Sequence, residues 1–288
     1  MKPEEQEILE KLNLAREHVL NKQSQPAIAI LKDLVEVLKD DPVNLPIIHI
    51  ELAWSYYYTR EYDPAIAHLR KALESHQLTP QQEFDCHRLI GFSQEMLGNL
   101  SEARKHLEAA LSLGIPEEAK RFTYFELGKI LFNQGQVIEA EHYFQLAEPL
   151  FAEAERDYRL AIWYYLGFAE YYQKNLEKAR EYFDSIIAQA QDAKTQASGY
   201  FGLAHLHYQK NEVTVLIDLC EKILRLDKTF YDKETLGYFL CYAYYQLKQW
   251  DELRATFEEM ERNYPQGRYV TEYPKFRTAL EKPGKGSN

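Results

Sequence analysis

Apolar side chains recur along the chain in steps of three and four, the spacing of one face of an α-helix, and no stretch keeps the period of two that a strand requires. The steps themselves repeat. An apolar residue followed by a small one occurs as Leu14-Ala15, Leu52-Ala53, Ile90-Gly91, Leu127-Gly128, Leu166-Gly167, Leu203-Ala204 and Leu240-Cys241, so the small position returns every 37–39 residues. Twelve residues after each lies a second column: Ala27, Ala65, Ala103, Ala140, Ala179, Leu216 and Leu253. Four further on comes a third, bulkier in most copies: Leu31, Leu69, Leu107, Phe144, Phe183, Cys220 and Phe257. Seven beyond the second column stand Leu34, Ala72, Ala110, Ala147, Ile186, Ile223 and Met260. Columns that stay in phase through a whole chain mark a repeat architecture.

Each copy reads as two amphipathic helices. Their inner turns are Tyr62-Asp63-Pro64, Gly98-Asn99, Gly135, Lys174-Asn175 and Lys210-Asn211; Asn and Gly tolerate the left-handed backbone of a helix end, and proline suits a first helical turn. Between copies lie Asp41-Pro42, Thr79-Pro80, Gly114-Ile115-Pro116, Asp192, Asp227 and Tyr264-Pro265. Small residues facing one another let two antiparallel helices approach closely. The predicted class is all-α. An array is expected over 1–272, in repeats of about 8–45, 46–83, 84–120, 121–159, 160–196, 197–233 and 234–265. Residues 273–282 read as a capping helix presenting Phe276 and Leu280 inward, and 283–288 as a flexible tail.

The pattern resembles the tetratricopeptide repeat family, whose motif pairs an apolar-small dipeptide and an aromatic in the first helix with an alanine, an aromatic, an alanine and a closing proline in the second. Tyr124 to Ala147 and Trp163 to Ile186 match well, and Pro265 stands where the family closes a repeat. Two departures stand out: Leu216 and Leu253 replace the expected alanine, and the period exceeds the family's 34 residues by about one helical turn. Because the twelve-residue spacing is kept, the extra turn is expected in the second helix or in the link to the next copy. The resemblance implies an α-solenoid of antiparallel helix pairs stacked into a right-handed superhelix, with the first helices lining the concave face.

That implied face collects the positions three before, one after and four after the small column. It gives Ile50, Trp54 and Tyr57; Arg88, Phe92 and Glu95; Phe125, Lys129 and Phe132; Tyr164, Phe168 and Tyr171; Phe201, His205 and Tyr208; Tyr238, Tyr242 and Tyr245. The first copy contributes Leu12, Arg16 and Val19 and no aromatic. The chain holds 22 Tyr, 14 Phe and 3 Trp, and the repeat concentrates them here. Such a lining can bury a large apolar area with little loss of side-chain entropy while tyrosine hydroxyls meet a peptide backbone. The alternative is that the rings pack sideways on neighbouring helices. The family's carboxylate clamp for chaperone tails needs Lys, Arg and Asn where this chain has Ile50, Trp54, Phe125 and Tyr164, which disfavours that ligand.

Charge and chemistry narrow the classes further. A net charge of −11 argues against a phosphate-tracking surface and so against nucleic acid. No run reaches the ~18 apolar residues of a membrane span, and the acidic start lacks the form of a secretory signal, so a cytoplasmic location is expected. Cys86, Cys220 and Cys241 are too scattered for a disulfide framework or a metal motif and read as small buried residues. His205 and His207 fall on different helix faces and read as solvated or hydrogen-bonded, while His49 and His87 occupy equivalent places and read as packing. No phosphate-binding, nucleophile-elbow or zincin string occurs. The expectation is a non-enzyme without cofactor or metal: a scaffold that binds a partner peptide or helix through Trp54, Tyr57, Phe92, Phe125, Lys129, Phe132, Tyr164, Phe168, Tyr171, Phe201, Tyr208, Tyr238, Tyr242 and Tyr245. A peptide-responsive regulatory sensor and a homo-oligomer assembled through the groove are the alternatives.

Overall fold

The computed structural model describes residues 3–281; the tail read at 283–288 lies outside them. Among the described residues the chain is helical throughout, with no strand. The helices are α1 (Pro3–Leu20), α2 (Ser24–Val37), α3 (Leu45–Tyr58), α4 (Tyr62–Glu74), α5 (Pro80–Met96), α6 (Leu100–Leu111), α7 (Arg121–Asn133), α8 (Val137–Ala147), α9 (Arg156–Tyr172), α10 (Leu176–Gln189), α11 (Ala193–Gln209), α12 (Val213–Leu226), α13 (Lys233–Leu247), α14 (Trp250–Asn263) and α15 (Tyr273–Glu281). The chain divides into two compact units, Met1–Leu150 and Phe151–Asn288. In the first, α1 to α8 each pack on the next, and the odd-numbered helices α3, α5 and α7 also touch in succession. In the second, α9 to α14 do the same, α9 reaches α11, and α15 packs on α13 and α14.

What holds each pair is the set of columns read from the sequence. Ala15, Ala53, Gly91, Gly128, Gly167, Ala204 and Cys241 are all buried, as are their partners in the second helices from Ala27 to Met260. Small and bulky columns interlock. A Cβ placed on Gly91 would stand 2.5 Å from Leu107, one on Gly128 2.7 Å from Phe144, and one on Gly167 2.5 Å from Phe183. The glycine is therefore the socket for the side chain sixteen residues on, and the helix axes approach because nothing intervenes.

The inner turns are built alike. Lys22, Arg60, Gly98, Gly135, Lys174, Asn211 and Lys248 all adopt positive φ, each seven residues after the small column. Around each, the backbone closes with the paired bonds of a Schellman cap. Gln23 N–H donates to the His18 carbonyl at 2.8 Å and Lys22 N–H to that of Val19 at 3.0 Å; Asn99 to Gln94 and Gly98 to Glu95, both at 2.9 Å, repeat the motif. Side chains reinforce it where the sequence allows, as when the Asn99 and Asn175 amides donate to Gln94 and Glu170 at 2.8 Å. The expected left-handed asparagine holds at Asn211. In the preceding turn Lys174 takes that conformation, and Asn175 stands at the N-cap position of α10 with its side chain turned to Glu170.

The added residues of the long period are absorbed in the links, as helix in some copies: α5, α9 and α11 each run 17 residues and begin well before the small column. At the start of α5, Thr79 Oγ1 accepts from the Gln82 N–H at 3.3 Å and the Gln82 side chain accepts from the Thr79 N–H at 2.9 Å, a reciprocal capping box. Thr79→Ala should lower the unfolding free energy of the N-terminal unit by about 1 kcal/mol. Urea denaturation checks this, and an unchanged midpoint would contradict the cap's role. Helix α15 buries Phe276 against Phe257 and Tyr245, at ring separations of 5.7 and 5.9 Å; Leu280 is partly buried. The three cysteines are buried and unbridged, and burial pushes the Cys86 and Cys241 thiols up to about 12.

Candidate functional site

In the N-terminal unit, α3, α5 and α7 bring the expected aromatic positions together but interleave them with ion pairs. Trp54 meets Tyr57 edge-on at 6.0 Å. The Arg88 guanidinium lies over the Trp54 ring at 5.4 Å and over Phe92 at 6.0 Å while holding Asp85 at 2.9 Å. Lys129 sits 3.2 Å from Glu95, also binds Glu126, and lies 5.4 Å above the Phe125 ring. Burial lifts the Glu126 carboxyl to about 7 even with Lys129 beside it, and burial with the neighbouring Glu126 lifts the Tyr57 hydroxyl to about 12. Trp54, Tyr57, Phe92, Lys129 and Phe132 are half-buried, whereas Phe125 is buried. The cations on this face already have carboxylates.

The C-terminal unit carries a different surface, a continuous network of rings. Phe168 on α9 lies 6.1 Å from Phe201 and 5.1 Å from His205 on α11. Tyr208 stacks on Phe239 of α13 at 4.6 Å and meets Tyr242 edge-on at 4.8 Å. Tyr245 reaches Phe276. Several hydroxyls are satisfied within the network: Tyr208 with Tyr238 at 2.9 Å, Tyr242 to Asn211 at 2.8 Å, and Tyr164 with Tyr231. Phe168, Phe201 and Tyr238 are buried between helices and present little free surface. Tyr164, Tyr171, Tyr208, Tyr242 and Tyr245 remain half-buried. Rings at the buried positions serve the core and those one turn away line the surface, because a 3.6-residue period cannot place a whole cluster on one side.

Several groups on this face were not foreseen. Tyr231, 63% exposed, Phe230 and Tyr269 come from the links between pairs; Phe230 packs on Phe201 at 5.1 Å and Tyr269 stacks on Tyr238 at 4.1 Å. Aromatic residues within the turn-rich segments were the available signal. Arg268, held by Asp232 and Glu234, lies near enough to α9 and α11 for its charge to act on Tyr172 and on His205. His205 is not solvated or hydrogen-bonded as expected. It is enclosed edge-on by Phe168, Tyr171, Phe201 and Phe239 at 4.7–5.6 Å, makes no hydrogen bond among the described residues, and burial lowers its imidazole to about 4. His207, by contrast, is bound to Glu212.

Away from these faces, His49 and His68 join α3 to α4 with their Nδ1 atoms 3.0 Å apart, and His87 and His106 join α5 to α6 at the same distance. Desolvation holds His68 and His106 down to about 4. A neutral pair shares one proton as donor and acceptor, which is structural work. Among the described residues no group of three or more His, Cys, Asp or Glu side chains is placed to hold a metal, and no helix is long and apolar enough to cross a membrane.

Comparison with known proteins agrees with the repeat reading. The family model described as tetratricopeptide repeat matches residues 50–118 and 142–194. No curated protein matches the sequence. Among solved structures, the apo form of RapI is similar with 15% identity and a TM-score of 0.67 over 94% of this chain and 80% of that one. A Rap protein complexed with competence and sporulation factor gives 16% and 0.59 over 96% and 82%. The apo form of the quorum sensor NprR from B. thuringiensis gives 18% and 0.58 over 96% and 77%. Residues 50–118 and 142–194 are thus similar to the tetratricopeptide repeat, and the all-helical fold of the chain is shared with these structures.

Proposed function

We propose that the protein is a non-catalytic interaction protein that receives a peptide or helix of a partner on the aromatic face of its first helices. The observation that carries this reading is the row of half-buried tyrosines on α9, α11 and α13, fixed by ring contacts and each with part of its surface open. A fixed aromatic row loses little entropy on binding, which is the property that makes tyrosine an effective contact residue. The fold similarity to a Rap protein solved in complex with competence and sporulation factor supports a peptide as the ligand. The N-terminal unit has, on its own first helices, Trp54, Tyr57 and Phe92 with ion pairs between them.

Tyr171→Ala combined with Tyr242→Ala should abolish capture of the partner from native lysate, while helicity and cooperative melting stay close to those of the unaltered protein. Undiminished capture would refute the reading. Similarity to the quorum sensor NprR favours a second reading, in which peptide binding changes the dimensions of the protein. Small-angle scattering with and without the captured peptide separates them, since a sensor must change its radius and a static scaffold must not.

A further inference from the structure

The partner's chemistry can be taken one step further, resting on the groove reading above. The cations around the C-terminal aromatic face fall into two sets. Arg268 is matched by Asp232 and Glu234, Lys210 by Glu177 and Lys178 by Glu170. Lys174 and Lys275 are exposed and have no ion pair among the described residues. Both stand over rings of the face: the Lys174 amine is 5.8 Å from the centre of Tyr171, and that of Lys275 is 4.7 Å from Tyr245 and 5.7 Å from Tyr242. The hydroxyls of Tyr171 and Tyr245 are also without a hydrogen-bond partner among the described residues. Each end of the ring network therefore carries an ammonium beside a phenolic O–H that has no partner among the described residues, and both can donate to one carboxylate.

We propose that this face takes an acidic peptide, a segment interspersing Asp or Glu with large apolar side chains. Its carboxylates meet Lys174 with Tyr171 at one end and Lys275 with Tyr245 at the other, and its apolar side chains lie on Tyr208 and Tyr242 between them. Charge-assisted bonds to carboxylate are stronger than neutral ones, and an amine already placed over a ring is partly ordered before binding. Glu272, whose charge acts on Tyr238, opposes this from the same face, and Arg268 is held by two carboxylates, so what favours a carboxylate is the placement of the two unpaired lysines over Tyr171, Tyr242 and Tyr245 and not an excess of positive charge. The net charge of −11 does not prevent it, because charges farther than roughly 8 Å are screened at physiological salt. The neutral imidazole of His205 lies among the rings, and a carboxylate beside it would raise its affinity for protons.

The test uses two rhodamine-labelled synthetic peptide pools with the same mixture of Leu, Phe and Tyr at alternate positions and either Glu or Lys between them, measured by fluorescence anisotropy. The Glu pool should bind the full chain about tenfold more tightly than the Lys pool at physiological salt, with the gap narrowing at high salt. Lys174→Asn with Lys275→Gln should remove most of that preference; asparagine suits the left-handed backbone at position 174, and circular dichroism checks the fold. Equal affinity for the two pools, a preference for Lys, or an Asn/Gln variant that keeps the Glu preference would overturn the acidic partner. If the pools bind equally and Tyr171→Ala with Tyr242→Ala weakens both, the groove reading stands and the acidic inference alone fails. Binding of neither pool overturns both.

Discussion

Phe183→Ala is expected to cost about 3–5 kcal/mol of unfolding free energy in the C-terminal unit. The ring has no exposed surface and stands where three helices meet. From α10 it fills the space left by Gly167 of α9, where a Cβ would come within 2.5 Å of it, and it presses closer still on Gly202 of α11. Phe168 closes the remaining side at 5.1 Å. Removing the ring leaves a void that neither glycine can fill, so the cost includes the cavity as well as the lost transfer free energy. Val215→Ala on the neighbouring α12, at an exposed site, should change stability by less than about 0.5 kcal/mol. Urea denaturation of both variants makes the comparison, and a Phe183→Ala loss below about 1 kcal/mol would mean that these helices do not interlock as described.

Mild acid should destabilise the fold before most carboxylates titrate. His68, His106 and His205 have pKa values lowered from 6.5 to about 4 by burial, and desolvation moves His49 and His87 in the same direction. A base whose folded-state pKa lies below its unfolded value binds its proton more readily when unfolded. Its contribution is therefore complete above pH ~6.5 and is lost as the pH falls toward ~4. A tenfold difference in proton affinity between the two states corresponds to about 1.4 kcal/mol. Glu126 works the other way: its carboxyl, raised to about 7, favours the folded state at low pH and ceases to do so as the pH rises through 7. Three strongly lowered histidines against one raised glutamate leave a net loss of order 2–4 kcal/mol between neutrality and pH ~4.5. Urea midpoints measured across that range should fall steadily. His205→Gln should flatten the slope, whereas Glu126→Gln should steepen it, and a level profile in the unaltered protein would contradict the assignment.

The helix pairs were legible because their signal is volumetric. A position that must be small and another that must be large, kept sixteen residues apart, leave a trace in residue identity, and Gly167 with Phe183 states the contact outright. Turn conformation was legible only where Gly98, Gly135 or Asn211 supplies the residue that the left-handed region favours. Lys22, Arg60, Lys174 and Lys248 take the same conformation because the Schellman bonds and packed helices override their local preference. On the candidate face, periodicity chose the side of each helix but could not say which rings were sealed. Phe125, Phe168, Phe201 and Tyr238 differ from Tyr171 and Tyr242 by a fraction of a turn and by what the adjacent helix brings. The contribution of Tyr231, Arg268 and Tyr269 could not be read from the repeat because it comes from links outside the periodic columns, where aromatic residues in turn-rich segments were the one hint.

The matched volumes of the two helices in each pair constrain how such a chain can be cut and rejoined. Grafting α9, with Gly167, onto α12, with Cys220, would leave a hole where Phe183 now sits, while α11 joined to α10 would drive the methyl of Ala204 into that same ring. Recombination at the turns within pairs is therefore penalised, and a cut at the α10–α11 link must still keep a glycine opposite Phe183, because Gly202 of the next pair meets the same ring. The unit of inheritance in this chain is the whole helix pair, although each of its helices looks like a separable module.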